Sequence, residues 1–200
     1  MDGDRKMYKG FIKRAMDFII SFCGIVILFI PMVVIAVLIK LDSPGPAIFK
    51  QKRTGIKQKS FTVYKFRTMC NHAYEKGGIA TSESDSRITK VGKVLRRTSL
   101  DELPQLFNIV SGQMSIIGPR PILDWEFAEN NNKPEYIKRF DVRPGLFCTV
   151  DVEHRNADRD LQFQMDAEYA EKCSFFLDVQ TFFKVIKTVA TGKGVYKDEK

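Results

Sequence analysis

FIISFCGIVILFIPMVVIAVLI, residues 18–39, carries no charged side chain and is interrupted near its middle by one proline, Pro31. Its roughly 22 residues are enough for one straight helix across a ~30 Å hydrocarbon core. The flanks complicate that reading. Arg5, Lys6, Lys9, Lys13 and Arg14 precede the run, and Lys40, Lys50, Lys52, Arg53, Lys57 and Lys59 follow it. Lys and Arg beside an apolar segment favour the cytoplasmic side, and both ends carry that signal. Pro31 has no N–H and crowds the preceding turn, so a kink is expected there. A helix that enters, bends and returns to the same face satisfies both observations; a single span satisfies only the length. A secretory signal is disfavoured, because Ile39-Lys40-Leu41-Asp42 offers no small-residue cleavage site. A soluble helix apolar on every side is seldom accommodated in 200 residues.

Outward from this run, Ser43-Pro44-Gly45-Pro46 ends any helix and fixes a sharp turn back to water. Residues 1–42 therefore read as a basic N-terminus with a membrane helix, and 43–200 as one aqueous domain of modest core. Strands are expected over Ala47–Lys50 and Phe61–Thr68, joined by a basic turn around Gly55. Residues 70–86 read as a mobile loop, Ile88–Arg97 as a helix, and a second helix begins near Ser99 or Asp101. Gly118-Pro119-Arg120-Pro121 fits neither a helix nor an interior strand. After Ser174, Phe175, Phe176, Val179, Phe182, Phe183, Ile186 and Val189 recur at helical spacing, opposite Asp178, Lys184 and Lys187. That face packs a core or lies among lipid headgroups. The fold class is α+β: a small irregular sheet with surrounding and interfacial amphipathic helices.

The net charge of +8 suits anionic lipid or phosphorylated substrates. Nucleic acid is not expected as a partner, since no zinc-ligand spacing, RNP-like motif or basic helical repeat is present. Cys23, Cys70, Cys148 and Cys173 form no CxxC pair and read as reduced thiols. His72 and His154 are too few and too far apart for zinc.

Chemistry points to Thr98-Ser99-Leu100-Asp101-Glu102-Leu103-Pro104-Gln105, preceded by Arg96 and Arg97. Ser99 and Glu102 have capping-box spacing, which would make Glu102 structural. Asp101 is less readily explained that way. On a first helical turn beside Arg96 it is expected to keep a low pKa and stay ionised, as a nucleophile or Mg²⁺ ligand must. Alternation along Tyr64-Lys65-Phe66-Arg67-Thr68-Met69 puts Lys65 and Arg67 on one strand face. Arg120, between two prolines, presents its guanidinium at low entropic cost, and a guanidinium suits bidentate phosphate contacts.

Together these segments resemble the bacterial sugar transferases, in particular the small monotopic phosphoglycosyl transferases that act on polyprenyl phosphate. The matching features are the proline-interrupted helix, Ser43-Pro44-Gly45-Pro46, Phe49-x-Gln51-x-Arg53-x-Gly55, residues 64–69, 99–105 and 118–121, and Val142-Arg143-Pro144-Gly145. The resemblance implies a re-entrant helix broken at Pro31 and a cytoplasmic-face enzyme of the bacterial inner membrane. It implies transfer of a sugar 1-phosphate from a nucleotide sugar, usually a UDP-sugar, to polyprenyl (undecaprenyl) phosphate, with Mg²⁺ held at Asp101. In that mechanism Asp101 attacks the β-phosphorus, UMP leaves, Glu102 assists, and the acceptor phosphate takes the phosphosugar from Asp101. Lys65, Arg67, Arg96, Arg120 and Arg155 are implied to bind substrate. Two departures stand out. Ile30 replaces a Ser common before the proline, and residues 146–154 depart from the family pattern, with only Arg155 and Asn156 recovering it. A larger hexose-phosphate transferase is disfavoured because no spans precede Met1. A catalytically inactive polybasic membrane scaffold is the reading from another class, and the presence of Asp101, Glu102, Arg96 and Arg120 argues against it.

Overall fold

The computed structural model describes residues 6–71, 73, 85–129, 133–150 and 158–190. Most of the loop expected over 70–86 lies outside them, as do His72, His154 and Arg155. A π-helical turn, Tyr8–Ile12, leads into α1, Lys13–Asp42, which stays helical through Pro31. At a rise of 1.5 Å per residue α1 is about 45 Å long. It is the one helix among the described residues long and apolar enough to cross a membrane.

One stripe of α1 is buried: Lys13, Asp17 and Ser21 in its first half, Met32 and Ile39 in its second. The remaining surface leaves Phe18, Ile19, Phe22, Val26, Ile27, Phe29, Ile30, Val33, Val34, Val37, Leu38 and Leu41 exposed. The buried stripe is polar at one end and apolar at the other. Asp17 accepts from the Ser115 hydroxyl at 2.7 Å and the Ile116 N–H at 3.0 Å. Lys13 pairs with Asp178 at 2.5 Å. Farther along, Met32 and Ile39 pack with Phe66 and Leu95, joined by Ile35, Ala36 and Leu103. Both halves of α1 are thus fixed to the same domain.

β1, Ile48–Thr54, and β2, Ser60–Phe66, form an antiparallel hairpin with Ile48 opposite Phe66 and Thr54 opposite Ser60. Lys57 and Gln58 turn it with φ of 53° and 56°. Both strands fall on their expected segments, β1 starting one residue later and ending four residues later. α2, Lys90–Thr98, is followed by a 3₁₀ turn at Leu100–Glu102 and by α3, Gln105–Val110. β3, Ser115–Ile117, pairs in parallel with β4, Gly145–Phe147. Between them lie the short α4, Glu126–Glu129, and a 3₁₀ segment, Pro134–Asp141. α5, Arg159–Lys172, and α6, Phe175–Ala190, close the chain. The mixed, mainly helical fold with small two-stranded sheets matches the expectation.

α6 decides between its two expected roles. Asp178, Thr181 and Val185 face inward, while Phe175, Phe176, Phe182, Phe183 and Ile186 are exposed. The aromatic face is therefore outward, and the core-packing alternative is overturned. The cause is Asp178, which accepts from Lys13, from the Tyr8 hydroxyl and, at 2.6 Å, from the Tyr169 hydroxyl. A buried carboxylate with three donors is far less costly than one turned toward an apolar phase. All four cysteines are free thiols.

Candidate active site

α2 brings Arg96 to the site by lying unusually close to the end of β2. A Cβ at Gly92 would come within 2.0 Å of the Thr68 carbonyl oxygen, so only glycine permits this approach. Thr89 caps α2 by accepting from the Gly92 N–H at 3.0 Å, and Asp42, at the end of α1, accepts from the Val91 N–H at 3.0 Å. Arg96 then donates through Nε to the Thr68 hydroxyl at 2.9 Å.

The helix stops at Ser99, whose φ of 57° is left-handed. That conformation replaces the expected capping box: the Ser99 side chain caps nothing. Glu102 is instead released toward β2 and accepts from Lys65 Nζ at 2.7 Å. Asp101 and Glu102 thus sit on a single 3₁₀ turn between α2 and α3. The residue after the turn, Leu103, packs among the α1 side chains. Asn108, fully buried on α3, ties that helix to β2. Asn108 donates to the Thr62 carbonyl at 2.7 Å and accepts from the Tyr64 N–H at 3.1 Å. Its amide acts as the missing ladder neighbour for the open edge of β2, which fixes Lys65 relative to the acids.

The two acids differ electrostatically. Burial, then the neighbouring Glu102, push the Asp101 carboxyl up to about 6, against the opposing pull of Lys65 and Arg96. The expected low value is corrected on that account. Burial pushes Glu102 upward too, but Lys65 in direct contact, with Arg120 near by, holds it below its ordinary range. Arg120 and Arg53 lie near enough for their charges to be felt there: Arg120 acts on Glu102, and Arg120 and Glu102 both act on Arg53. Arg53 donates to the Pro121 carbonyl at 3.2 Å and to Gln51 at 2.7 Å. Sequence alone marks neither Arg53 nor Asn108 as a functional residue. The placement of Arg53 on a strand beside the Pro-Arg-Pro segment is a tertiary fact; the Gln51-x-Arg53-x-Gly55 motif was its only signal.

Asp101, Glu102, Lys65, Arg96 and Arg120 therefore converge. Arg67 does not join them. It is buried, and its guanidinium donates to the Ile39 carbonyl at 3.3 Å, the Ser43 carbonyl at 2.7 Å and the Pro44 carbonyl, closing the C-terminus of α1. A cation on orphan helix carbonyls is a structural cap. Arg67 is removed from the substrate-binding set for this reason, while Arg155 lies outside the described residues.

Among the described residues no cluster of three or more His, Cys, Asp or Glu could hold a metal. The two carboxylates nonetheless fit Mg²⁺, which keeps several waters and takes one or two carboxylates plus substrate phosphate oxygens. They do not fit a fully protein-caged ion. With four basic side chains around one acidic pair, the site suits a polyanion such as a diphosphate, and Asp101 is a carboxylate free of a direct salt bridge among those described.

Residues 8–192 match the bacterial sugar transferase family. Over 190 residues the chain is 41% identical to a UDP-N-acetylgalactosamine-undecaprenyl-phosphate N-acetylgalactosaminephosphotransferase of Aeromonas hydrophila, covering 92% of this chain and 45% of that protein. It is 36% identical to the exopolysaccharide production protein PSS of Rhizobium leguminosarum bv. phaseoli, covering 92% of this chain and 98% of that one. A UDP-glucose:undecaprenyl-phosphate glucose-1-phosphate transferase of Escherichia coli (strain K12) is 34% identical, with 92% and 41% covered. The chain thus spans less than half the length of the first and third relatives and nearly all of the second.

Proposed function

The chain belongs to the bacterial sugar transferase family, and from that premise we propose that it transfers a sugar 1-phosphate from a UDP-sugar to undecaprenyl phosphate. The products are UMP and undecaprenyl-diphosphate-sugar. The observation that carries this reading is the Asp101–Glu102 pair, part-exposed, ringed by Lys65, Arg96 and Arg120, on a turn whose next residue packs against α1.

In the proposed reaction an Asp101 carboxylate oxygen attacks the β-phosphorus of the UDP-sugar. The bond from that phosphorus to the bridging oxygen breaks, and UMP leaves with the electron pair. An oxygen of undecaprenyl phosphate then attacks the aspartyl-bound phosphorus, breaks the acyl phosphate bond and restores Asp101. With a pKa of about 6, Asp101 is mostly ionised at pH 7. Glu102, oriented by Lys65, assists the acceptor step as neighbouring base. Lys65, Arg96 and Arg120 bind and neutralise the phosphates. Bound at Asp101, Mg²⁺ would supply further neutralisation of the diphosphate. Splitting the displacement into two steps suits one soluble and one lipid-borne substrate.

The reading includes membrane residence with the domain on the cytoplasmic face, against anionic lipid, and a re-entrant α1. In its support, polar anchors hold the first half of α1, and apolar contacts hold the second half, to the same domain. The exposed aromatic face of α6 adds a second apolar surface. Cysteines introduced near Lys9 and Lys57, in a background lacking the native four, are expected to be shielded alike from reagents outside the cell. Labelling of either one establishes a span instead.

The reaction is tested by UMP release from a panel of UDP-sugars in the presence of undecaprenyl phosphate. One sugar is expected to turn over well above the others. Absence of turnover with every UDP-sugar would move the reading to another nucleotide.

A further inference from the structure

The segment Pro119-Arg120-Pro121 has one backbone N–H, because neither proline has one, and three carbonyls. All four groups are engaged. Gly145 N–H donates to the Pro119 carbonyl at 2.8 Å, and Arg53 to the Pro121 carbonyl at 3.2 Å. The two groups of Arg120 itself go to one ion pair. Its N–H donates to Asp166 Oδ1 at 3.2 Å, and its carbonyl accepts from Arg139 Nη2 at 2.7 Å. The same Nη2 donates to Asp166 Oδ2 at 2.6 Å. Peptide, carboxylate and guanidinium close a ring, supplied by the Pro-Arg-Pro segment, α5 and the 3₁₀ segment Pro134–Asp141.

This ion pair is sealed: the side chains of Arg139 and Asp166 are 1% and 0% exposed. The guanidinium lies over Phe163 at 4.7 Å and near Phe140 at 5.4 Å. Arg139 Nε and Nη1 find no acceptor among the described residues. A buried pair that leaves donors unused is a poor source of stability, since apolar side chains of similar volume often hold a fold as well or better. Its geometry serves another end. It grips both backbone groups of Arg120, an exposed residue whose charge acts on Glu102. We propose that Arg139 and Asp166 are positioning residues that fix the Arg120 peptide and so aim its guanidinium at the phosphates of the nucleotide sugar. This rests on the reading of Arg120 as a phosphate-binding residue. The positioning pair itself touches no substrate.

The test uses the full chain with a UDP-sugar and undecaprenyl phosphate. It compares wild type, Arg120→Ala, the double replacement Arg139→Met with Asp166→Leu, and all three changes together. The apolar pair is expected to melt within a few degrees of wild type yet lose kcat/KM on the order of 10–100-fold, as a misplaced binding group does. Added to Arg120→Ala, it is expected to cause no further loss, because the group it aims is gone. An apolar pair with wild-type kcat/KM overturns the proposal, as does a further loss of the same factor in the Arg120→Ala background. Full activity of Arg120→Ala would instead refute the phosphate-binding reading on which it rests. If the apolar pair does not fold, Asp166→Asn, which retains an acceptor for the Arg120 N–H, carries the same coupling measurement against Arg120→Ala. Coupling supports the proposal, and additivity overturns it.

Discussion

Lys65–Glu102 and Arg139–Asp166 are both close acid–base pairs, with N–O distances of 2.7 and 2.6 Å. They differ in access. The side chains of the first are 31% and 34% exposed, those of the second 1% and 0%. Lys13–Asp178, at 9% and 9%, belongs with the sealed kind. The sealed pairs each join elements distant in the chain: α1 to α6, or α5 to the segment before β4. The half-open pair sits between β2 and the turn that carries Asp101. Charge pairing alone therefore does not distinguish chemistry from architecture here. Solvent access does, because a substrate phosphate can displace or share only a cation it can reach.

Replacement of the reachable acids is expected to give the largest effects, on rate rather than stability. Asp101→Asn should abolish turnover with little change in melting temperature. Glu102→Gln should fold and lose on the order of 10²–10⁴ in rate, the range for a positioned acid–base group. If Glu102→Gln stayed within a few-fold of wild type, Glu102 would be demoted to a structural partner of Lys65. Next comes a sealed acid. Asp178→Ala leaves Lys13 buried with no counter-ion and should destabilise the fold by about 3–5 kcal/mol in denaturant titration. Turnover per folded molecule is expected to be retained; a selective loss of kcat at unchanged stability would dissolve the contrast between the two kinds of pair.

The contrast also explains what sequence could and could not reveal. The long apolar helix and the hairpin are local patterns and fall where expected, whereas the acids lie on a 3₁₀ turn ahead of α3 rather than on the first turn of a helix. Other residues take their roles from partners far along the chain. Arg67 looked like the companion of Lys65 by strand alternation, but the Ile39, Ser43 and Pro44 carbonyls lie within its reach and capture it. Ser99 looked like a cap until its left-handed backbone turned Glu102 toward Lys65. The aromatic stripe of α6 resembled a core face because nothing local reveals that Asp178 meets Lys13, some 165 residues away. Asn108 has no sequence signature at all, since its role depends on the open edge of β2.

Smaller changes sharpen the same comparison. Arg120→Lys keeps the charge and loses the planar fork, so transition-state binding should weaken by roughly 1–3 kcal/mol, read from kcat/KM. Unchanged kinetics would return Arg120 to a surface role. The smallest effect is expected at the most open of the described pairs. Glu168, paired with Lys172 one turn on and largely exposed, should cost about 0.3–0.5 kcal/mol on change to Gln, with activity untouched. A larger loss would mean that exposure is a poor guide to energetic weight in this domain.

The central claim is that Asp101 is the attacking group, and one measurement addresses it directly: incubation of the enzyme with UDP-sugar radiolabelled in the sugar, without undecaprenyl phosphate. A single-turnover burst of UMP is expected, with label retained on the protein at Asp101, and neither in Asp101→Asn. UMP release that strictly requires the acceptor, with no label on the protein, would contradict it and make the reaction a direct displacement between two bound substrates.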